Sequence, residues 1–236
     1  MCSVLDEMST APDDRTTRAR IRDAAIECFA DHGVADTTAR KVAASAGVSP
    51  GLVMHHFGSM DGLRLVCDEH VAAVIRRHKE DALSSGPQLD LLAAFRNSEF
   101  GPMMAYLARV LTDDSAAVAK LVDDLVADAE VYLEHGVESG LLRPTDDPHG
   151  RAVVIALWSL GALVLHHHMD RLLGVDLTNP DITTDPAFVD YLRPVTEVMG
   201  SGLYTEDFVG QMKEALASYA GTEQRTQSTK RTQGQQ

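Results

Sequence analysis

Cysteine is scarce in this sequence. Cys2, Cys28 and Cys67 are the three copies in 236 residues, and no two of them form a CxxC pair. A disulfide framework and a zinc ribbon both need paired cysteines, so the sequence predicts neither. Cys28 and Cys67 fall on apolar helix faces and are interpreted as small buried hydrophobic residues, with a redox sensor as the alternative.

Long apolar runs are also missing. No stretch reaches the roughly 18 consecutive apolar residues that a membrane-spanning helix needs. The N-terminal residues 1–14 are acidic and lack the apolar segment of a signal peptide. We therefore expect a cytoplasmic protein with no membrane partner.

Signatures of catalysis and of metal binding are absent. The sequence contains no G-x-S-x-G, no H-E-x-x-H and no phosphate-binding glycine loop, so we expect neither an enzyme nor a cofactor. His166, His167 and His168 point about 100° apart on a helix and cannot converge on one ion. His166 and Asp170 together supply two ligands, which is too few for a closed site, so no metal is predicted.

Charge is unevenly distributed along the chain, whose net charge is −14. Residues 15–60 carry six basic and four acidic side chains, whereas residues 61–220 carry 12 basic and 26 acidic ones. Phosphate repels the acidic part, so only the N-terminal segment is suited to approach a nucleic acid. Ordinary solvated helix faces explain the same charges equally well, so charge alone does not decide.

The apolar spacing is helical nearly throughout, and nothing in the sequence is typical of a strand. It predicts helices that end near His32, Ala46, Phe57, Leu83 and Gly140, with further helices over 88–97, 102–111, 152–165, 188–199 and 205–220. Residues 152–165 are apolar almost all round, which predicts burial on most sides, in a domain core or at a subunit interface. Pro194 is expected to kink or restart its helix. The polar tail, residues 221–236, is expected to be disordered.

Residues 38–57 have the pattern of a helix-turn-helix. Two short helices, each with an apolar face, are joined by a turn at Gly47. Ser49 followed by Pro50 is typical of a helix N-terminus. The second helix is expected to present Ser49, Pro50, Gly51, Met54, His55 and His56 at or near its exposed side. In such units these positions contact base edges, and flanking groups hold phosphates.

Residues 15–75 resemble the tetracycline-repressor family of bacterial regulators. The resemblance rests on Phe29, Gly33, the threonines at 37 and 38, the A-x-x-A-G-V run at 43–48 and the His-Phe pair at 56–57. It implies an all-α chain with a three-helix DNA-binding domain at 15–75 and a helical ligand-binding and dimerisation domain at 76–220. A flexible arm, 1–14, precedes them.

The resemblance also implies roles for single residues. Thr38 and His56 are similar to phosphate-contacting positions, and Phe57 to a core position. Met54 and Met60 stand where the family usually has tyrosine and lysine, which predicts weaker nonspecific affinity or more apolar contact with thymine methyl groups. The residues predicted to contact DNA are Arg15, Thr37, Thr38, Arg40, Ser49, Pro50, Gly51, His55 and His56.

The expected function is a dimeric repressor that binds a pseudo-palindromic double-stranded DNA operator and is released by a small-molecule effector. A DNA-binding regulator without an effector, gated by a protein partner or constitutive, is the alternative. Helices 152–165 and 205–220 are the predicted homodimer interface. Large, soft or amphipathic side chains suit a ligand pocket between helices. The predicted lining residues are Phe95, Phe100, Met103, Met104, Tyr106, Tyr132, Trp158, His166 and Tyr191.

Overall fold

The fold is built from helices. A computed structural model describes residues 12–84, 100–179, 181–182 and 185–214. Within these ranges the regular elements are all helical, which confirms the all-α prediction. The helices are α1 (Pro12–His32), α2 (Ala39–Ala46), α3 (Pro50–Phe57), α4 (Met60–Ser84), α5 (Phe100–Val110), α6 (Ala116–Glu138), α7 (Pro148–Val164), α8 (His166–Leu173) and α9 (Pro186–Ser201). Residues 206–214 are helical as well.

Helix α1 buries the face that its apolar spacing predicts. Ile21, Ala25 and Phe29 are fully or almost fully buried. The helix ends at His32, and Gly33 adopts a φ of 80°, a left-handed conformation that favours glycine. The helix begins at Pro12, so the last three residues of the predicted flexible arm are helical.

One hydrophobic core joins the N-terminal helices to the helices that follow. Phe29 of α1, Leu63 of α4, Leu107 of α5 and Leu121 of α6 belong to the same buried cluster. Helix α5 packs on α1, and α6 packs on α4. Helix α4 continues to Ser84 without a break and therefore passes through the predicted domain limit near residue 75. The helix predicted over 88–97 lies outside the described residues.

A smaller core lies between α6 and α7. It contains Val126, Ala129, Leu133, Ala152 and Ala156. The alanines of α7 face this core and allow the two helices to approach closely. The side chains of α7 on its opposite side are exposed in the single chain. Burial of residues 152–165 on most sides, which was expected in a domain core or at a subunit interface, therefore stays a prediction that requires a partner.

The apolar segment also ends earlier than its composition suggests. Helix α7 stops at Val164, and α8 begins at His166 after a bend of 75°. The periodicity did not predict α8 as a separate helix. Within the part of the chain that the structure describes, no single helix has the length and apolar character to cross a membrane, although α7 and α8 together pass that test by composition.

The chain divides into two compact units, Met1–Phe188 and Val189–Gln236. In the second unit, α9 continues through Pro194 as one helix, so the predicted restart at this proline is not observed. Several large apolar side chains of this unit are exposed: Val189, Val198, Met199, Leu203, Tyr204, Phe208 and Met212.

Candidate DNA-recognition surface

Both ends of helix α2 are determined by capping residues. Thr38 is the N-cap, and its hydroxyl accepts a hydrogen bond of 3.3 Å from the backbone N–H of Lys41. Gly47 closes the helix in the left-handed conformation, with a φ of 65°. Val42, Ala43 and Ala46 are buried, so the exposed side of α2 carries the remaining side chains, including Arg40.

Helix α3 follows after this turn and has the bounds predicted from the sequence. Ser49 caps it by accepting a hydrogen bond of 3.2 Å from the N–H of Leu52, and Pro50 occupies its first turn. Val53 is buried against the rest of the unit. Gly58 ends the helix with a φ of 73°. Two capped helices joined by a glycine turn form the helix-turn-helix expected over 38–57.

The outer face of α3 is formed by residues one turn apart. Pro50, Gly51, Met54 and His55 are exposed, and Val53 lies on the buried side. His56 is half-buried; its ring lies 5.6 Å from that of His55 and 6.2 Å from that of Phe57. Of the two histidines predicted to contact DNA, His55 is therefore the more accessible.

Positive charge surrounds the helix-turn-helix. Arg40 and Lys41 are exposed on α2, and the Lys41 ammonium donates a 3.0 Å hydrogen bond to the carbonyl of Asp36. The guanidinium of Arg18 lies 5.2 Å from the centre of the Phe57 ring, a cation–π contact between α1 and the end of α3. The basic side chains of Arg18, Arg40 and Lys41 therefore lie on the same group of helices as the exposed face of α3, as DNA binding requires.

Thr37 occupies a different environment from the one predicted. Its side chain is buried, and its hydroxyl faces the carbonyls of Gly33, at 2.7 Å, and Cys28, at 3.0 Å. The hydroxyl hydrogen is thus used within the domain, where it satisfies the last carbonyls of α1. The predicted side-chain contact of Thr37 with DNA is corrected to a structural role. The Arg15 side chain lies outside the described part of the chain.

Comparison with known proteins agrees with this geometry. Residues 21–67 match the family described as bacterial regulatory proteins, tetR family, and residues 98–205 match the tetracyclin repressor-like C-terminal domain. The transcriptional regulatory protein RaaS of Mycobacterium tuberculosis is 41% identical over 157 residues, which are 66% of this chain and 74% of that protein. The chain belongs to the tetracycline-repressor family.

Other relatives support the same assignment. The transcriptional repressor AcnR of Corynebacterium glutamicum is 30% identical over 60% of this chain and 77% of its own length. The structure of SmeT, the repressor of a multidrug efflux pump of Stenotrophomonas maltophilia, superposes with a TM-score of 0.51 at 25% identity, covering 79% of this chain and 96% of SmeT. As a member of this family the chain is a DNA-binding transcriptional regulator, which confirms the prediction that it is not an enzyme.

In this tetracycline-repressor family member, a polar cluster links α4 to α5. The Tyr106 hydroxyl donates a 2.5 Å hydrogen bond to Asp68 Oδ1 in α4, and both side chains are buried. Arg64 Nε lies 3.7 Å from Asp68 Oδ2, and Arg64 Nη1 lies 3.5 Å from Asp113 Oδ2. The Tyr106 ring also contacts Phe29 of α1, with centroids 6.1 Å apart. Tyr106 therefore touches both α1 and α4.

Burial dominates the electrostatics of this cluster. It raises the pKa of the Asp68 carboxyl, although the Tyr106 hydrogen bond and the Arg64 charge oppose the shift. Burial also raises the pKa of the Tyr106 hydroxyl, and the neighbouring Asp68 charge adds to that shift. Tyr106 therefore stays neutral and serves as a hydrogen-bond donor.

Arg64 and Asp68 were not predicted from the sequence as functional residues. They lie four residues apart, each directly after a buried residue of the α4 stripe, Leu63 and Cys67. Opposite charges at this spacing beside an apolar stripe are the signal that was available. It is weak, because the same spacing is common on solvated helix faces. The partner in α5 is 38 residues away from Asp68 along the chain, so no local pattern indicates it.

The residues predicted to line a ligand pocket do not share one environment. Met103 and Tyr106 are buried, and Met104 is partly buried, all in the core that α5 shares with α1 and α4. Tyr132 packs on the smaller core between α6 and α7. The prediction for Trp158 is corrected, because this residue is 52% exposed on the outer face of α7.

The remaining predicted pocket residues lie elsewhere. His166 is the first residue of α8, and its Nδ1 lies 3.2 Å from Oδ1 of Asp176 in the segment that follows this helix. Hydrogen bonds from Thr178 and His166 lower the pKa of Asp176, against the opposing effect of partial burial. Tyr191 belongs to the second compact unit. Phe95 and the side chain of Phe100 lie outside the described residues. In the part of the chain that is described, no group of three or more potential metal ligands is present.

Proposed function

We propose that this chain is a dimeric repressor that a small molecule releases from a pseudo-palindromic operator. Its family membership establishes DNA-binding regulation, and AcnR and SmeT are both described as repressors. A cytoplasmic location, where such an operator lies in a bacterium, is part of the proposal. The observation that carries it is the path of α4, which starts at the helix-turn-helix and runs into the helical body as one element.

Helix α4 supplies a route by which the helical body can move the DNA-binding surface. Near its C-terminal half, Arg76 Nη1 lies 3.1 Å from Asp128 Oδ1 of α6. Near its N-terminal half, Asp68 accepts the hydrogen bond from Tyr106 of α5. A ligand that displaces α5 or α6 therefore acts on α4 and, through Phe29, on α1. These contacts favour an effector site close to Met103 and Met104.

The idea of an effector also draws on a solved structural neighbour. A structure described as the molecular basis for control of antibiotic production by bacterial hormones superposes with a TM-score of 0.53 at 25% identity. It covers 80% of this chain and 98% of the neighbour. Control by a hormone, as that description states it for the neighbour, supports an effector as a partner of this chain.

Dimerisation is proposed through the outer face of α7. Val154, Leu157, Trp158 and Val164 are exposed there. Their spacing places them along one side of the helix. Gly161 lies in the same stretch, and an added Cβ would meet no atom within 4 Å, which lets a second helix approach closely. A second copy of the chain covers this stripe in the proposal, and two copies then present two α3 helices about 34 Å apart for successive major grooves.

A matched pair of substitutions tests the dimer. Val154→Glu places a charge in the stripe, whereas Val131→Glu places one on an exposed part of α6. We expect Val154→Glu to sediment as a monomer at micromolar concentration and to bind DNA more weakly, because one half-site contact is lost. Val131→Glu should remain dimeric. A Val154→Glu protein that stays dimeric contradicts the proposed interface.

Effector control is tested by reciprocity. A thermal-shift screen identifies compounds that raise the melting temperature of the chain, since a ligand of the folded state stabilises it. The affinity of each such compound is then measured with and without a DNA fragment that the chain retards. Coupling of about 5- to 150-fold is expected, with DNA weakening the ligand by the same factor as the ligand weakens DNA. Equal affinities contradict ligand-controlled release and favour a regulator without an effector.

A further inference from the structure

The recognition helix α3 has an unusual composition for a helix that reads bases. Its eight residues are PGLVMHHF, with no Arg, Lys, Asn, Gln, Asp or Glu among them. Arg and Lys are the usual readers of guanine in the major groove, Asn and Gln of adenine, and Asp and Glu accept from cytosine. Hydrogen-bond readout by α3 is thus confined to His55, His56 and the capping Ser49.

Met54 is the largest apolar side chain on the exposed face of α3. It is 40% exposed, and it follows Gly51 by three residues, so the two positions share one face of the helix. Helical side chains lean towards the N-terminus, so Met54 leans towards the turn that contains Gly51. A Cβ on Gly51 would meet only the Ser49 hydroxyl, at 3.9 Å. Because Gly51 has no side chain, the helix surface beside Met54 is open, and a base edge can approach Met54 closely.

An apolar side chain in this place selects among base edges. Guanine, adenine and cytosine present hydrogen-bond donors and acceptors in the major groove, and covering them with a thioether would leave those groups unpaired. Thymine presents a C5-methyl group, the one apolar feature of the groove in unmodified DNA. A methionine buried against that methyl removes apolar surface from water on both sides.

We propose that Met54 is a specificity-determining residue that reads a thymine methyl group in each operator half-site. The proposal rests on DNA binding through α3 and adds the chemical feature that is read. One buried methyl group corresponds to a change of about three- to fivefold in Kd. Met54→Ala should lower the affinity for the preferred sequence and lose the preference for thymine at one position.

The test uses DNA selected from a pool of random duplexes by the full chain. In copies of the selected duplex, each thymine is replaced singly by uracil, which lacks only the methyl group. The wild-type chain should lose about three- to fivefold in affinity at one thymine per half-site. At that position, 5-methylcytosine paired with guanine should bind more tightly than unmethylated cytosine by a similar factor.

Two variants assign the effect to Met54. In Met54→Ala the uracil and thymine duplexes should bind equally, whereas Leu65→Ala, which truncates an exposed apolar residue of α4, should keep the full difference. Met54→Leu retains an apolar side chain and should keep most of the difference. Thermal unfolding verifies that each variant is folded, as expected for exposed positions.

Each contrary result has a distinct meaning. Indifference of the wild-type chain to uracil at every thymine overturns the proposal while leaving DNA binding intact. Persistence of the full uracil effect in Met54→Ala shows that another residue reads the methyl group and also overturns it. If the random pool yields no selected sequence, the proposed function itself fails, and the role of Met54 fails with it.

Discussion

Replacing Tyr106 by phenylalanine removes one oxygen atom from the contact between α5 and α4. In the wild type this oxygen donates a 2.5 Å hydrogen bond to Asp68, whose side chain is 7% exposed. Arg64 cannot take its place without moving, because its Nε lies 3.7 Å from the other carboxylate oxygen. The variant therefore leaves a buried carboxyl group short of a partner, while the Phe29 ring contact is kept.

The expected loss of stability follows from the charge of the Asp68 carboxylate, which accepts this hydrogen bond. A hydrogen bond to a charged group contributes about 1.5–3 kcal/mol to the free energy of unfolding. For a chain of this size each kcal/mol lowers the melting temperature by about 2–4 °C, so Tyr106→Phe should melt about 3–12 °C lower at pH 7. Thermal unfolding followed by circular dichroism, at one fixed protein concentration, measures the difference.

The pH dependence of this difference has a defined sign. Burial raises the pKa of Asp68 in the folded chain above its unfolded value of about 3.9. The contribution of Asp68 to the free energy of unfolding is therefore fully present below its unfolded pKa, and it falls as the pH rises towards its folded pKa. The Tyr106 hydrogen bond lowers the folded pKa, so its removal extends the fall to higher pH. The loss caused by Tyr106→Phe should be larger at pH 7 than at pH 4.

Tyr132→Phe is the matched control. Tyr132 is partly buried on α6, and no hydrogen bond of its hydroxyl occurs within the described part of the chain. The Tyr132→Phe variant should have a melting temperature close to that of the wild type at both pH values. Equal melting temperatures of Tyr106→Phe and the wild type at pH 7, or a larger loss at pH 4, would refute the reasoning about the buried cluster.

Three further predictions concern the DNA-binding unit. Thr37→Val should lower the free energy of unfolding by about 1–2 kcal/mol in thermal denaturation, because the carbonyls of Cys28 and Gly33 lose their donor; Thr37→Ser should not. Gly33→Ala should cost about 1–2 kcal/mol in the same assay, because φ is 80°, whereas Gly51→Ala should be neutral or stabilising. Arg40→Ala should weaken binding to all DNA sequences alike and reduce the slope of log K against log salt by about 1; a loss confined to one sequence would contradict a phosphate contact.

The local sequence was sufficient to predict the helix-turn-helix. Each end of α2 and α3 is determined by a cap whose hydrogen bonds or backbone conformation involve neighbours within five residues. The capping residues are Thr38, Gly47, Ser49 with Pro50, and Gly58. Capping of this kind depends on residue type and spacing alone. The predicted start of α3 at Pro50 and its predicted end near Phe57 therefore agree with the structure.

Whether a single side chain is buried or exposed was harder to predict than where a helix ends. Thr37 belongs to a pattern that suggests a DNA contact, yet its hydroxyl serves the end of α1. Trp158 has the size and chemistry of a pocket residue, yet it lies on the open side of α7. Thr37 lies in the link between α1 and α2, and its burial depends on how that link folds back on the end of α1. The outcome for Trp158 depends on which side of α7 the rest of the chain covers, and a helix that is apolar all round carries no periodicity from which to infer that side.

The sequence by itself determined that the chain is helical, where most helices end, and that residues 38–57 form a helix-turn-helix. Each of these follows from interactions between residues close together in the chain. Only the tertiary structure decided that Asp68 meets Tyr106, which is 38 residues away, and that Arg64 reaches Asp113. Such contacts arise when helices pack, and packing is selected by the shape and burial of the whole core rather than by the pattern of any one segment.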